Sequence, residues 1–196
     1  MSNDHVSAAV QARFSRHVLG AHSYRGQETL LIRHEGLLEV ARFLKDDPSM
    51  AFDCLMDLTC VDYLKFGASL SSAPTLATPS PLPYYMKPKP TEEAWQRLVP
   101  SDAYRFDVVY HFYSTTHNHR VRVKVPLKAA EPSIPSLTGL WASANWYERE
   151  AWDMFGVTFT GHPNLRRLLM YEGFNGHPLR KDYPVNKRQP LVGPIN

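Results

Sequence analysis

Between residues 67 and 103 the sequence holds seven prolines, at positions 74, 79, 81, 83, 88, 90 and 100, among many Ser, Thr and Ala. Proline lacks a backbone N–H and clashes with the preceding helical turn, so neither a strand ladder nor a helix can run through such a stretch. Regular elements must lie on either side of it, and the stretch itself reads as a long surface excursion. One island inside it, TEEAWQRL at 91–98, has the composition of a two-turn helix, with Trp95 either a docking anchor or folded back on the domain.

Before the excursion, Val6, Ala9, Val10, Phe14 and Leu19 recur at helical spacing behind Ser2 and Asn3, which can cap a helix start, so residues 4–19 are expected to form a first amphipathic helix. QETLLIRH at 27–34 reads as a strand. The following EGLLEVARFLKDDP places Leu37, Val40, Ala41 and Leu44 on one helical stripe that Pro48 ends. FDCLMDLTCVDYL (52–64), YRFDVVYHFYST (104–115) and HRVRVKVPL (119–127) are rich in aromatic and β-branched residues, and the short HNH link predicts a hairpin between the last two. NWYEREAWDMF at 145–155 reads as a helix ended by Gly156, a residue suited to a left-handed cap. Residues 1–159 are thus expected to form one α/β domain, and 160–196 an extended basic arm.

Several function classes are disfavoured. The net charge of +3 is mild and argues against a whole-surface nucleic-acid or lipid partner. No apolar run has the roughly 18 residues of a membrane span, and the opening MSNDHVSAAVQARF has no signal-peptide core, so the chain is expected to stay on the side where it is made. Cys54 and Cys60 fall six residues apart on one strand, on the same face if the alternation is regular, too far apart for a disulfide and too few for a zinc or iron–sulfur site. There is no glycine-rich phosphate loop, nucleophile elbow or dinucleotide fingerprint.

The arm carries about eight large apolar side chains, among them Leu165, Leu168, Leu169, Met170, Phe174 and Leu179, too few to offset the entropy of ordering it by apolar burial alone. Its Gly161-His162-Pro163 and Gly176-His177-Pro178 turns nevertheless prepare defined bends. Arg166, Arg167, Arg180, Lys181, Lys187 and Arg188 outnumber Glu172 and Asp182, implying an acidic partner surface, with RNA as the competing explanation. An arm that wraps another subunit satisfies all three observations.

On the 145–155 helix, Arg149 and Asp153 are i,i+4 neighbours with Glu150 and Trp146 beside them, so one face is ionic: a solvated face with a weak internal ion pair is one reading and an interface the other. Trp146, Tyr147, Trp152 and Phe155 cannot all be solvated comfortably, which points some to the core and the rest to an interface. Glu150, Asp153, His162 and His177 lack the spacing that gathers metal ligands on one helical face, and the two imidazoles are expected to lock their turns by hydrogen bonding.

NWYEREAWDMFG at 145–156, GHPNLRRLLM at 161–170 and GHPLRKDYP at 176–184, in this order and spacing, resemble the 30-kDa (C-type) subunit family of respiratory NADH:quinone oxidoreductase (complex I). Glu148, Arg149, Glu150, Asp153, Met154, Phe155, His162, Arg166, Leu168 and Leu169 meet every position of that family's signature; the resemblance runs from about 104 to 184 and more faintly through LTCVDY at 58–63. The proline-rich insertion departs from the pattern, since in many relatives the two flanking strands are joined more directly.

The resemblance implies a two-layer α/β (α+β) domain with a mixed sheet packed by helices. It implies no cofactor on this chain, with FMN, iron–sulfur clusters and quinone held by partner subunits. Expected neighbours within complex I are the D-type (49-kDa) and B-type subunits, with the ferredoxin-like I-type subunit as a further candidate. The chain would be enzymatic only as part of the complex, contact no nucleic acid, and reach the inner membrane only through the complex, on the cytoplasmic or matrix side. Glu148, Arg149, Glu150 and Asp153 are then assigned to positioning the helix, and Arg166, Arg167, Arg180, Lys181 and Asp182 to gripping adjacent subunits, so that reversing Arg180 and Lys181 should impair assembly and leave the melting of the chain unchanged. Homologous subunits of an energy-converting hydrogenase, an F420-type dehydrogenase or the photosynthetic NDH complex are the alternative.

Overall fold

The computed structural model describes residues 4–64 and 104–189. The proline-rich excursion with its TEEAWQRL island and Trp95, and the capping residues Ser2 and Asn3, lie outside the described residues.

Helix α1 (Asp4–Arg13) is followed by strands β1 (Val18–Tyr24) and β2 (Gln27–Ile32), helix α2 (Leu37–Asp46) and strands β3 (Cys54–Asp62), β4 (Tyr104–Ser114) and β5 (His119–Lys128). Short β6 (Ser133–Pro135), helix α3 (Ala144–Phe155) and short β7 (Thr158–Thr160) complete the order. The main sheet runs β1-β2-β5-β4-β3. All neighbours are antiparallel except β2 and β5, which makes the sheet mixed, as expected. The HNH link closes the β4–β5 hairpin, with Ser114 opposite His119 and Asn118 at φ 51.

The first helix is shorter than its apolar spacing suggests: it stops at Arg13, and Leu19 belongs to β1. Arg25 and Gly26, at φ 52 and 75, make the tight two-residue turn whose twist suits a hairpin, so the polar GAHSY segment is held as an edge strand by β2. In α2 the expected stripe of Leu37, Val40, Ala41 and Leu44 is buried.

One face of the sheet, carrying Leu58, Val108, Tyr110, Phe112 and Val123, meets the helices in a single core. Val6 and Val10 of α1 and the α2 stripe reach it, and Trp141, just before α3, packs on Phe112 at 4.8 Å between ring centroids. Met154 and Phe155 of α3 complete it.

The expectation that Cys54 and Cys60 share a face is corrected by a register shift between Leu55 and Asp57. The extra residue reverses the alternation, so Leu55, Leu58 and Cys60 are buried while Cys54 faces the other way. Both cysteines are free thiols. Among the described residues no helix is long and apolar enough to cross a membrane.

Candidate functional site

Three of the four charged residues of α3 are buried. Glu148 and Asp153 are 0% exposed and Arg149 9%, whereas Glu150 is exposed. The i,i+4 pair between Arg149 and Asp153, one of the two readings of this face, does not form, because each has a better partner on the arm. Arg149 donates from Nε to the carbonyl of Arg166 at 3.2 Å and from Nη2 to that of Arg167 at 3.0 Å.

Asp153 anchors the arm. Its Oδ2 accepts three consecutive backbone N–H groups, from Leu168, Leu169 and Met170, at 3.0, 2.9 and 2.9 Å. Its Oδ1 takes Nη1 of Arg167 at 2.5 Å. Desolvation pushes this carboxyl up, but the three N–H donors and the guanidinium together outweigh it and hold the carboxyl below its ordinary pKa. Arg167 also donates to the carbonyls of Phe174 and Gly176, closing the bend between the two halves of the arm.

Downstream, the arm satisfies the end of the helix. The last carbonyls of an α-helix have no partner within it and carry the negative end of its dipole. His177 Nδ1 reaches the carbonyl of Asp153 at 3.0 Å, the N–H of Leu179 that of Met154 at 3.1 Å, and the Arg180 guanidinium those of Phe155 and Gly156. Gly156 leaves the helix at φ 74, as its place after the apolar run suggests, and a Cβ there would lie 2.5 Å from Arg180 Nη2 and 2.6 Å from His177 Nε2. Replacing Gly156 by alanine is therefore expected to cost about 1–2 kcal/mol for the left-handed backbone and to dislodge Arg180. Urea denaturation checks the first effect; a stability equal to wild type would contradict it.

A second latch lies at the far end of β3. Arg105 forms two bonds to Asp62, at 2.9 and 2.7 Å, and two to Asp182, at 3.0 and 2.7 Å, while the N–H of Lys181 binds Asp62 at 2.9 Å. Such paired guanidinium–carboxylate bonds fix orientation as well as charge. Burial pushes the Asp62 carboxyl up, but Arg105 and the N–H groups of Lys181 and Leu64 leave it below its ordinary value.

Neither Asp62 nor Arg105 stands out in the sequence. The available signal was alternation: after the bulge, Leu58, Cys60 and Asp62 share the buried face, and a carboxylate in that phase requires a cation.

The positions named from the sequence thus divide. Arg167, Arg180 and Asp182, expected to grip adjacent subunits, are engaged within this chain, while the side chains of Arg166 and Lys181 are exposed. This also corrects the expected outcome of reversing Arg180 and Lys181: with Arg180 capping α3, the pair cannot be reversed without disturbing the fold. The arm is tied down by buried ionic and backbone bonds, which an account of apolar burial alone does not include. His162 locks its turn, taking the N–H of Asn164 on Nδ1 at 3.0 Å and meeting the carbonyl of Asn145 through Nε2 at 3.2 Å. Among the described residues no three His, Cys, Asp or Glu side chains gather as a metal site would require.

Residues 30–189, which contain both latches, match the family described as respiratory-chain NADH dehydrogenase, 30 Kd subunit. The chain belongs to this family. The C-type subunit of NADH-quinone oxidoreductase from Coxiella burnetii (strain Dugway 5J108-111) is 40% identical over 177 residues, covering 90% of this chain and 76% of the relative. Among solved structures, the trypsin-resistant fragment (1-134) of Nqo5 superposes with a TM-score of 0.56 at 26% identity, covering 84% of this chain and 100% of the fragment. A chain in the membrane-bound sulfane sulfur reductase, an archaeal respiratory membrane complex, gives a TM-score of 0.64 at 14% identity, covering 95% and 88%, and shares the fold. In this 30-kDa-type subunit two signature residues, Arg149 and Asp153, build an internal clasp between helix and arm together with Arg167 and Arg180.

Proposed function

We propose that the chain is a cofactor-free structural and assembly subunit in the hydrophilic arm of a proton-translocating NADH:quinone oxidoreductase, packed beside the D-type and B-type subunits near the quinone-reducing module. In a bacterial cell this places it at the cytoplasmic side of the inner membrane. The observation that carries the reading is the use made of the signature: Glu148, Arg149 and Asp153 are buried in the fold, and Arg149 and Asp153, with Arg167 and Arg180 from outside the signature, are bonded at the junction of helix and arm. Residues so engaged shape a surface. What they leave outside includes Trp146 at 63% exposure, Leu169, Leu179 and Val185, large apolar groups of the kind that anchor protein interfaces. The Arg149 guanidinium lies over the Trp146 ring, 5.4 Å from its centroid, a cation–π contact that favours this placement of the indole.

A gentle-detergent pull-down of the tagged chain from its native membranes tests this, with identification of the co-purified subunits and an NADH:quinone assay. The B-type and D-type subunits with activity are the expected result; a hydrogenase large subunit or a solitary chain would refute it. Trp146→Ala and Lys181→Glu are expected to reduce that co-purification severalfold while the melting temperature of the chain moves by less than about 2 °C, since neither side chain holds the fold. Unchanged recovery of the complex with both variants would count against Trp146 and Lys181 as interface residues.

A further inference from the structure

The helices cover one face of the main sheet; among the described residues no helix lies on the other, where Thr29, Asp107 and Val109 are buried and His22, Asp57, Thr59 and Arg120 are exposed. Strand register defines that open face. Arg122 of β5 stands between Thr29 of β2 and His111 of β4, with His22 of β1 and Asp57 of β3 at the ends of the same row. Arg120 and Lys124 lie two residues to either side of Arg122 and therefore share its face, so the middle strand of the sheet carries a line of three cations roughly 13 Å long.

Among the described residues no carboxylate forms an ion pair with Arg120 or Arg122. Arg120 is exposed and lies over the ring of Tyr113, 5.4 Å from its centroid. Asp57 stands at the row's far end, opposite His111 and two strands away from Arg122. Burial first, and then Lys124 and Arg122, hold His22 below its ordinary pKa, and burial and then Arg122 do the same for His111 against the pull of Asp57. Beside the cations, Met56, Asp57, His111, Arg120 and Arg122 line a hollow of about 280 Å³.

We propose that the exposed part of this sheet face is a docking surface for an acidic polypeptide segment of a neighbouring subunit, its carboxylates seated on Arg120 and Arg122 and its apolar groups over Met56 and Val61. The proposal rests on the reading of the chain as a subunit of a larger complex. Guanidinium groups suit carboxylates because they offer paired donors in one plane and lose hydration easily. The company they keep decides between partners. Met56 and Val61 are exposed, and Asp57 and Thr59 share the β3 edge of the face, a mixture of apolar, acidic and hydroxyl groups that fits a protein surface. An unbroken run of phosphates, in nucleic acid or on an anionic bilayer, would meet Asp57 with like charge.

The test is Arg120→Glu/Arg122→Glu in the full-length tagged chain expressed in its native host, beside the wild type and Arg120→Gln/Arg122→Gln. Melting and circular dichroism of each purified chain are expected to match the wild type, because neither guanidinium contributes to the core or to the clasp. Recovery of the complex on the tagged chain is expected to fall about tenfold or more with the glutamates and less with the glutamines. Wild-type recovery with the glutamate pair overturns the docking face and leaves the subunit reading standing; a wild-type chain that brings down no partner overturns both. A photo-crosslinking residue at Thr59 identifies the occupant directly. A cross-link to an acidic peptide of another subunit is the expected product. Cross-links to residues 65–103 of the same chain, to lipid or to nucleic acid overturn the proposal.

Discussion

Replacing Asp153 by alanine is expected to open the arm and cost about 3–5 kcal/mol, the range found when one partner of a buried, hydrogen-bonded ion pair is removed. The effect is large because one carboxylate serves four donors. Without it the N–H groups of Leu168, Leu169 and Met170 lose their acceptor, and Arg167 loses the charge that holds it against the helix. Arg167 in turn holds the carbonyls of Phe174 and Gly176, so the loss is transmitted along the arm. For a chain of this size such a change lowers the melting temperature by roughly 10 °C. Amide exchange separates this from a general weakening: protection at 168–170 should vanish in the variant before protection in β4 and β5 does. Unchanged protection at those three amides would show that the carboxylate is not their anchor.

Acid should act on both latches. Asp62, Asp153 and Asp182 all have folded-state pKa values below their ordinary ones. The native state therefore releases their protons more readily than the unfolded chain, and the stability they contribute is present above the ordinary carboxylate range and lost as pH falls through the lowered values.

How much of this was legible follows from what each element depends on. The α2 stripe and the β4–β5 hairpin were readable because periodicity and a short link are local properties, and both elements meet the core they were patterned for. β1 was not, because GAHSY has weak strand character and owes its conformation to pairing with β2 through the turn at Arg25 and Gly26. The arm was misjudged for a related reason. Its apolar content was countable from the sequence, but the contacts that fix it join Asp62 to Lys181 and Asp153 to Leu168, pairs whose proximity exists only once the fold has formed. Within α3, the i,i+4 spacing of Arg149 and Asp153 suggested a helical pair, and tertiary partners outcompeted it by supplying several donors or acceptors where the helix offered one.

Glu148 responds to pH in the opposite direction. Its Oε1 accepts the N–H of Leu137 at 2.7 Å, but among the described residues its Oε2 has no partner, and neither does the buried hydroxyl of Tyr110. Burial pushes its pKa from an ordinary 4.5 up to about 7, against the smaller pull of Ser136 and the Leu137 N–H. Between those two values the native state keeps a proton that the unfolded chain has released, so this group's contribution is full below the ordinary value and disappears as pH rises through about 7. At about 1.4 kcal/mol per pKa unit the contribution at stake is on the order of 3 kcal/mol. Glu148→Gln keeps the acceptor for Leu137 and cannot ionise. It is expected to match the wild type near pH 5 and to exceed it by roughly 1–3 kcal/mol near pH 8 in urea denaturation, flattening the decline in between. A protonated-carboxyl band in the infrared spectrum of the wild type at pH 6, absent from the variant, would assign the proton to this side chain. Parallel stability curves for the two proteins would mean that Glu148 is ionised in the fold, and the buried anion would then require a cationic or hydrogen-bonding partner at Oε2.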